Sequence, residues 1–385
     1  MEKHLHIIAL NVPFPVDYGG VVDLFWKLPS LQAQGVNIHL HCFDYGRGQQ
    51  PILKKYCASV NYYERQEGHK GFSTSVPYIV ASRKHEGLLN RLLEDDYPIL
   101  MEGVHCTWLL NDPRFANRKK FVRIHNVEHK YYQRLFQNST GIFKRLYYAN
   151  ESRLLKKYEH WMADKATAYW GVTHDDVNYY RQQLNCSTID YLPVYLPADW
   201  KVSGLEGMGS YCLYHGDLSV PANERQAAWL LKEVFGKLKI PFVVAGKNPS
   251  EKLQQLAHAQ QHTCIVSNPT ELEMQDMIRK AHIHVLPSTH TTGIQIKLLN
   301  ALYNGRHCVV NDAMVQGTGL EAACFIGNTA NAMQALQLAL TMDNKDLIHQ
   351  KIEALNEVSR PYAERAMDQA ISGALKGKDI QDKNL

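Results

Sequence analysis

The chain has 385 residues, 45% of them hydrophobic and 21% charged, with a formal net charge of +4 at pH 7. That length suggests two or three domains with real cores, and the composition is that of an ordinary soluble protein. A charge so small gives no ground for nucleic-acid binding, and no apolar run approaches the roughly 18–20 residues that span a bilayer. The N-terminus runs straight into the strand-like HLHIIAL, without an apolar run followed by a cleavage site. Eight cysteines are scattered without a CxxC pair, which predicts buried free thiols in a reducing cytoplasm.

In chain order, residues 4–10 read as a first strand. The loop NVPFPVDYGG follows, then an amphipathic helix over 21–34 stopped by Gly35, then a second strand over 36–43. The loop lacks the GxGxxG spacing of a dinucleotide fingerprint but sets Gly19 and Gly20 at a helix start beside a strand end. Such a position lines the ligand crevice of a doubly wound sheet or is a plain turn; the spacing allows both. Strands follow over 59–63 and 99–104, with a helix over 82–93 between them. RIHNVEHKYY ends a strand near Ile124 and turns into helix, leaving His125, Asn126 and Glu128 on the turn. A histidine there can point into a cleft, take a proton or hydrogen-bond a sugar hydroxyl, or be merely structural.

A long helix is predicted over 142–162, with a strand over 166–172, a helix over 175–183 and a strand over 189–195. From Arg118 to Lys165 there are twelve Lys/Arg against four acids. This stretch fits a solvated helical face, an anionic membrane surface or an acidic substrate. PADWKVSGLEGMGS is the linker candidate. The same grammar then restarts: a strand over 211–215, a loop over 216–222, and a helix capped by Asn223 with Ala227, Leu230, Leu231, Val234 and Leu238 inward. A strand over 241–245 meets Gly246 and Lys247, a further strand covers 264–266, and a helix covers 271–281.

The most informative stretch is HIHVLPSTHTTGIQIKLLNALYNGRHCVVND, a strand–loop–helix–strand unit. Gly293 opens its helix, so a ligand could approach bare amides at the helix N-terminus, and phosphate is the leading class there. A helix docked with no ligand fits equally well. Gly317, Gly319 and Ala322 spell GxGxxA, but six residues separate them from the preceding strand, which argues against a dinucleotide. Asp95–Asp96 and Asp175–Asp176 read as helix ends rather than metal ligands.

With these residues laid out, the chain resembles a GT-B-fold glycosyltransferase of the retaining, family-4 type found in bacterial polysaccharide biosynthesis. The resemblance covers most of the chain and is strongest over 211–321. It is carried by HGDLSVPANERQAAWLL, FVVAGKNPS, DMIRKAHIHVLPS and GIQIKLLNALYNGRHCVV, and in the first half by PFPVDYGG and RIHNVEHKYY. It implies an α/β fold of two Rossmann-like domains facing across a cleft, with parallel sheets covered by helices on both faces. The expected boundaries are 1–200 for an acceptor-side domain and 201–350 for a donor domain. A C-terminal helix over 351–385 would pack back on the first domain and end in a frayed tail.

The resemblance also implies a function: transfer of a sugar from a nucleotide-sugar donor to a hydroxyl of a sugar or lipid-linked sugar acceptor, with retention. The expected catalytic residue is His125. The expected donor contacts are Gly20, Gly216, Asn223, Gly246, Lys247, Thr292, Gly293, Ile294, Gln295, Lys297 and Asn300, with no metal and no cofactor. Two glutamates common in such enzymes are replaced by Thr292 and Asn300, and a basic pair in the first loop of the donor domain by Asp217 and Ala222. Lys297 would supply the cation instead. The expected location is the cytoplasm, peripheral at the inner face of an anionic membrane. The alternatives are a nucleotide-sugar epimerase of the same fold and a non-catalytic nucleotide-sugar-binding subunit.

Overall fold

The computed structural model describes residues 2–139, 141–202, 205, 207–289 and 293–328. Thr292, residues 329–350 and the tail expected over 351–385 lie outside them. The chain divides after Pro197 into two compact units, and residues 293–294 group with the first.

The first unit is built on seven strands: β1 (Lys3–Ala9), β2 (Val36–Asp44), β3 (Ser59–Glu64), β4 (Ile99–Glu102), β5 (Lys120–Ile124), β6 (Ala168–Gly171) and β7 (Ile189–Tyr191). They pair in the order β3-β2-β1-β4-β5-β6-β7, all parallel. Its helices are α1 (Gly19–Ala33), α2 (Tyr78–Ala81), α3 (Glu86–Leu92), α4 (Glu128–Asn138), α5 (Ile142–Met162) and α6 (His174–Gln183). Both faces of the sheet are covered, as a parallel sheet requires. Leu5 and Ile7 pack with Leu24 and Leu28 on one side, and Ile8 with Met101 and Val122 on the other. The helix expected over 82–93 begins only at Glu86, as α3, with the short α2 ahead of it. Between the two, Arg83 donates to Ile79 O at 2.7 Å and to Leu10 O at 3.1 Å, so its guanidinium ties this turn to the loop after β1.

The second unit runs β8 (Tyr211–Asp217), α7 (Pro221–Trp229), β9 (Phe242–Lys247), α8 (Glu251–Ala257), β10 (Thr263–Ser267), α9 (Glu271–Lys280), β11 (Ala281–Val285), α10 (Ile296–Asn304), β12 (His307–Val310), α11 (Asp312–Val315) and β13 (Phe325–Ile326). Its sheet order is β10-β9-β8-β11-β12-β13, again parallel throughout. In each unit the strand order reverses beside the first strand, at β1/β4 and at β8/β11. Open α/β sheets bind ligands outside the strand C-termini at such reversals.

Asn223 does not cap a helix. Pro221 occupies the first helical position after Val220, because its fixed φ and missing N–H suit that place, so Asn223 falls inside the first turn. The helix expected from Ile294 begins two residues later. Gly293 is left-handed at φ +65°, a conformation outside any right-handed helix. Seven of the cysteines are buried and Cys264 is exposed; all eight are free thiols.

Candidate functional site

In the first unit the site forms around His125, which follows the last residue of β5. Its Nε2 lies 3.1 Å from Glu102 Oε2 and 3.6 Å from Asp23 Oδ2. Glu102 closes β4, and Asp23 and Lys27 stand one turn apart on the buried side of α1. Lys27 Nζ reaches Asp23 at 3.2 Å and Glu102 at 2.5 Å. Arg123, fully buried in β5, grips Asp23 through Nε at 2.9 Å and Nη2 at 3.0 Å, and donates to Leu192 O and Pro193 O. Tyr195 N adds a bond to Asp23 Oδ1 at 2.9 Å.

Burial alone would push both carboxyls up, but the neighbouring cations outweigh it. Arg123 and Lys27 hold Asp23 well below the usual carboxylate range, and Lys27 with His125 holds Glu102 below its ordinary value. Burial also opposes the Arg123 guanidinium, yet Asp23 raises its pKa. Two cations and two anions thus balance in a dry interior, where an unpaired ion would cost several kcal/mol. Ligand atoms of Asp23, Glu102 and His125 lie within 4.8 Å of one another. Both carboxylates are already held by Lys27 and Arg123, so this donor set is filled by ion pairs and a metal would have to displace them.

An Nε2–H on His125 donates to Glu102, which leaves Nδ1 as an acceptor. Gly20, in the first turn of α1, faces that atom: a β-carbon on Gly20 would lie 3.3 Å from His125 Nδ1. Gly293 closes on the same turn from another side, where a β-carbon would sit 2.5 Å from Asn126 Oδ1 and 3.0 Å from His125 O. Among the described residues no hydrogen bond engages Nδ1. The imidazole is therefore held at one nitrogen and free to accept at the other.

In the second unit the structure gathers Gly216, Asn223 and Lys297. The Lys297 ammonium lies 3.3 Å from Asn223 Oδ1 and 5.0 Å from the Tyr214 ring centroid, and a β-carbon on Gly216 would meet Asn223 at 3.5 Å. Asn223 Nδ2 in turn donates to Asp217 O at 2.9 Å. Burial pushes the Lys297 ammonium down to about 8, and no carboxylate among the described residues pairs with it. Lys297 sits in the first turn of α10, whose Gln295 cap provides no side-chain bond to the helix amides. A cation and uncapped amides therefore share one helix N-terminus, a place where anions are stabilised.

The other expected donor residues are placed less tellingly. Gln295 Nε2 donates to Ser288 Oγ at 2.6 Å, and Asn300 Oδ1 accepts from Asn304 at 2.9 Å. Ile294 is half-buried, and Lys247 is exposed at the end of β9. Gly246 is needed for packing, since a β-carbon there would lie 1.9 Å from Gly216 O and 2.9 Å from Leu218 Cγ. A mainly apolar cavity of ≈ 240 Å³ lies along α7, lined in part by Trp229, Leu230, Val285 and Val309, with Ser288 and Asn311 at its polar end. Sequence reasoning missed Asp23, Lys27, Glu102 and Arg123. Their signal was present: an i,i+4 acid–base pair in an otherwise apolar helix, and single charges inside the apolar strands ILME and KFVRI. Charges in such places must be paired.

Residues 209–341 match the family model described as glycosyl transferases group 1. WaaG, a glycosyltransferase involved in lipopolysaccharide biosynthesis, superposes with a TM-score of 0.58 at 14% identity, over 96% of this chain and 100% of that one. That family match falls on the second unit, and the chain has the GT-B fold. HepE of Anabaena, in complex with UDP and glucose, gives a TM-score of 0.63 at 10% identity over 97% and 99% of the two chains. An uncharacterized 44.6 kDa protein in the cps region of Klebsiella pneumoniae is 23% identical over 330 residues, 81% of this chain and 84% of the relative. No helix among the described residues is long and apolar enough to cross a membrane.

Proposed function

We propose that this glycosyltransferase moves a sugar from a nucleotide-sugar donor to a hydroxyl of a polysaccharide or glycolipid acceptor, with retention. The observation that carries the reading is Lys297: a half-buried ammonium with no counter-ion among the described residues, at a helix N-terminus beside Gly216 and Asn223. A diphosphate supplies the missing anion. As the sugar–phosphate bond breaks, negative charge grows on the leaving oxygen, and the Lys297 ammonium with the amides of α10 stabilises it. The UDP complex of HepE supports a nucleotide donor, the group 1 match supports glycosyl transfer, and the cps-region relative supports polysaccharide assembly. The basic stretch between Arg118 and Lys165 supports an enzyme working at an anionic membrane surface on its cytoplasmic side.

His125 supplies the hydrogen bond to the reacting sugar in this scheme, through the nitrogen that Glu102 leaves free. His125→Ala lowers turnover by roughly two to three orders of magnitude, as for loss of one preorganised partner, while nucleotide affinity stays the same. The assay is release of nucleoside diphosphate from a panel of nucleotide sugars, with the anomeric configuration of the product read by NMR. A variant that folds and turns over normally removes His125 from the reaction. A protein that binds nucleotide but neither transfers nor hydrolyses sugar is instead a binding subunit. Donor conversion with no acceptor present marks an epimerase.

A further inference from the structure

The basic stretch separates into two groups. Arg118 pairs with Asp95, Lys120 donates to Phe115 O and Ala116 O, and Arg123 holds Asp23; these three cations serve the fold. Lys130, Arg153 and Lys156, on α4 and α5, are placed differently. An open cavity of ≈ 540 Å³ lies between these helices, and its lining includes Lys130, Gln133, Ser152, Arg153, Lys156 and Tyr179. No carboxylate among the described residues forms an ion pair with Lys130, Arg153 or Lys156. Lys130 rests on the Tyr179 ring at 3.6 Å, and Arg153 donates to Asn150 Oδ1 at 3.1 Å. Three acids act on Lys130 without pairing with it: Asp176, which accepts from Thr173, Asp175 beside it on α6, and Glu159, which accepts from His129, Tyr180 and the amide of Glu128.

The same face of α5 continues beyond the cavity. Ile142, Leu146, Ala149, Arg153 and Lys156 fall within one narrow stripe at 3.6 residues per turn. At the N-terminal end of that stripe Ile142 is 68% exposed and Leu146 64%, with Phe143 beside them at 84%. A stripe that is apolar for two turns and then cationic, without acids, matches the layering of an anionic bilayer: acyl chains below, phosphates above.

We propose that the α4–α5 face docks on an anionic lipid surface, with Ile142, Phe143 and Leu146 inserted and a lipid phosphate seated in the cavity between Lys130, Arg153 and Lys156. The inference rests on the reading of this chain as a membrane-side glycosyltransferase but not on its catalytic residues. It assigns the membrane contact to one surface and one headgroup chemistry.

The test is co-sedimentation of the full chain with vesicles of neutral phosphatidylcholine, alone or mixed with phosphatidylglycerol. Binding is expected on the anionic vesicles only, falling as salt rises. Arg153→Ala with Lys156→Ala weakens it about 30-fold, from about 1 kcal/mol for each cation near the surface. Phe143→Ser weakens it about tenfold through lost apolar insertion. Lys144→Ala, on the opposite side of α5, changes it less than about threefold. All of these positions are exposed, so the thermal midpoint stays in place. Four results would overturn the proposal: equal partitioning on neutral and anionic vesicles, unchanged binding by the double variant, an equal loss with Lys144→Ala, or release by free glycerol phosphate, which would mark a soluble phosphate site. Nucleotide affinity measured on the same variants keeps the functional reading separate. Normal nucleotide binding without vesicle binding sinks only the docking surface, and the reverse result sinks only the donor reading.

Discussion

Lys297→Met is the substitution that most directly examines the donor site. The lysine ammonium is half-buried, has no carboxylate partner among the described residues, and has its pKa pushed down by burial to about 8. A bound diphosphate would bring negative charge beside it and raise that pKa again, so binding takes up a proton wherever the free enzyme has lost it. The sign follows: affinity is level below about pH 8 and falls as pH rises above it. Between about pH 7 and about pH 9.5 the dissociation constant grows about 30-fold. A nucleoside diphosphate is already fully ionised over this range and contributes no slope of its own. Removing the charge costs roughly 1.5–3 kcal/mol of affinity, the worth of a charge-assisted contact, and flattens the pH profile. The apo protein responds the other way. Holding Lys297 charged at neutral pH works against its burial by up to about 3 kcal/mol, so Lys297→Met raises the thermal midpoint. Titration calorimetry in two buffers of different ionisation enthalpy measures both the affinity and the proton uptake. A wild-type affinity that is flat to about pH 9.5, or a methionine variant that binds as tightly as the lysine, refutes the reasoning.

Glu102→Gln keeps the shape of the His125 partner but leaves Lys27 short of one anion in a dry site. Stability falls by about 3–5 kcal/mol in a denaturant titration, and a midpoint unchanged within about 0.5 kcal/mol would show the cluster to be energetically slack. Gly246→Ala forces a methyl against the Gly216 carbonyl and lowers stability by about 1–3 kcal/mol, read as a drop in thermal midpoint. An unaltered midpoint there would mean that the ends of β8 and β9 yield more freely than their packing suggests.

Much of the architecture was legible because parallel strands buried on both faces leave runs such as HLHIIAL and AHIHVLP that little else produces. The long helix Ile142–Met162 was readable to the residue, since its apolar spacing holds for the whole length. What escaped was short or depended on distant partners. The two-residue strand β13 has no pattern of its own, and α8 is announced only by Ser250 accepting from Leu253 N. Asn223 looked like a cap because the type favours caps, yet Pro221 two residues earlier decided where the helix opens. At the site, single residues near glycine loops could be named, but not their company. His125 was visible on its turn, with Arg123 two residues before it, whereas Glu102 comes from β4 and Asp23 and Lys27 from α1, and they meet only when β4, β5 and α1 pack together.

That company explains why the two units treat charge differently. In the first, every ion around His125 has an opposite partner, so the imidazole is fixed before any ligand arrives. In the second, Lys297 has none among the described residues, and the helix continues through Asn300 rather than a carboxylate. A glutamate at 300 would stand three residues along the same helix face, close enough to pair with Lys297 and raise its pKa. The neutral Asn300 instead bonds Asn304 and leaves the ammonium unclaimed. The loss of that acid and the exposure of that lysine to an incoming anion are thus one arrangement. Under the proposed function, the energy held as a desolvated cation in the empty protein would be recovered in part when phosphate binds and more fully as the leaving group takes on charge. A preorganised cation of this kind stabilises the transition state more than the bound sugar nucleotide, because the charge it faces is greatest as the glycosidic bond breaks.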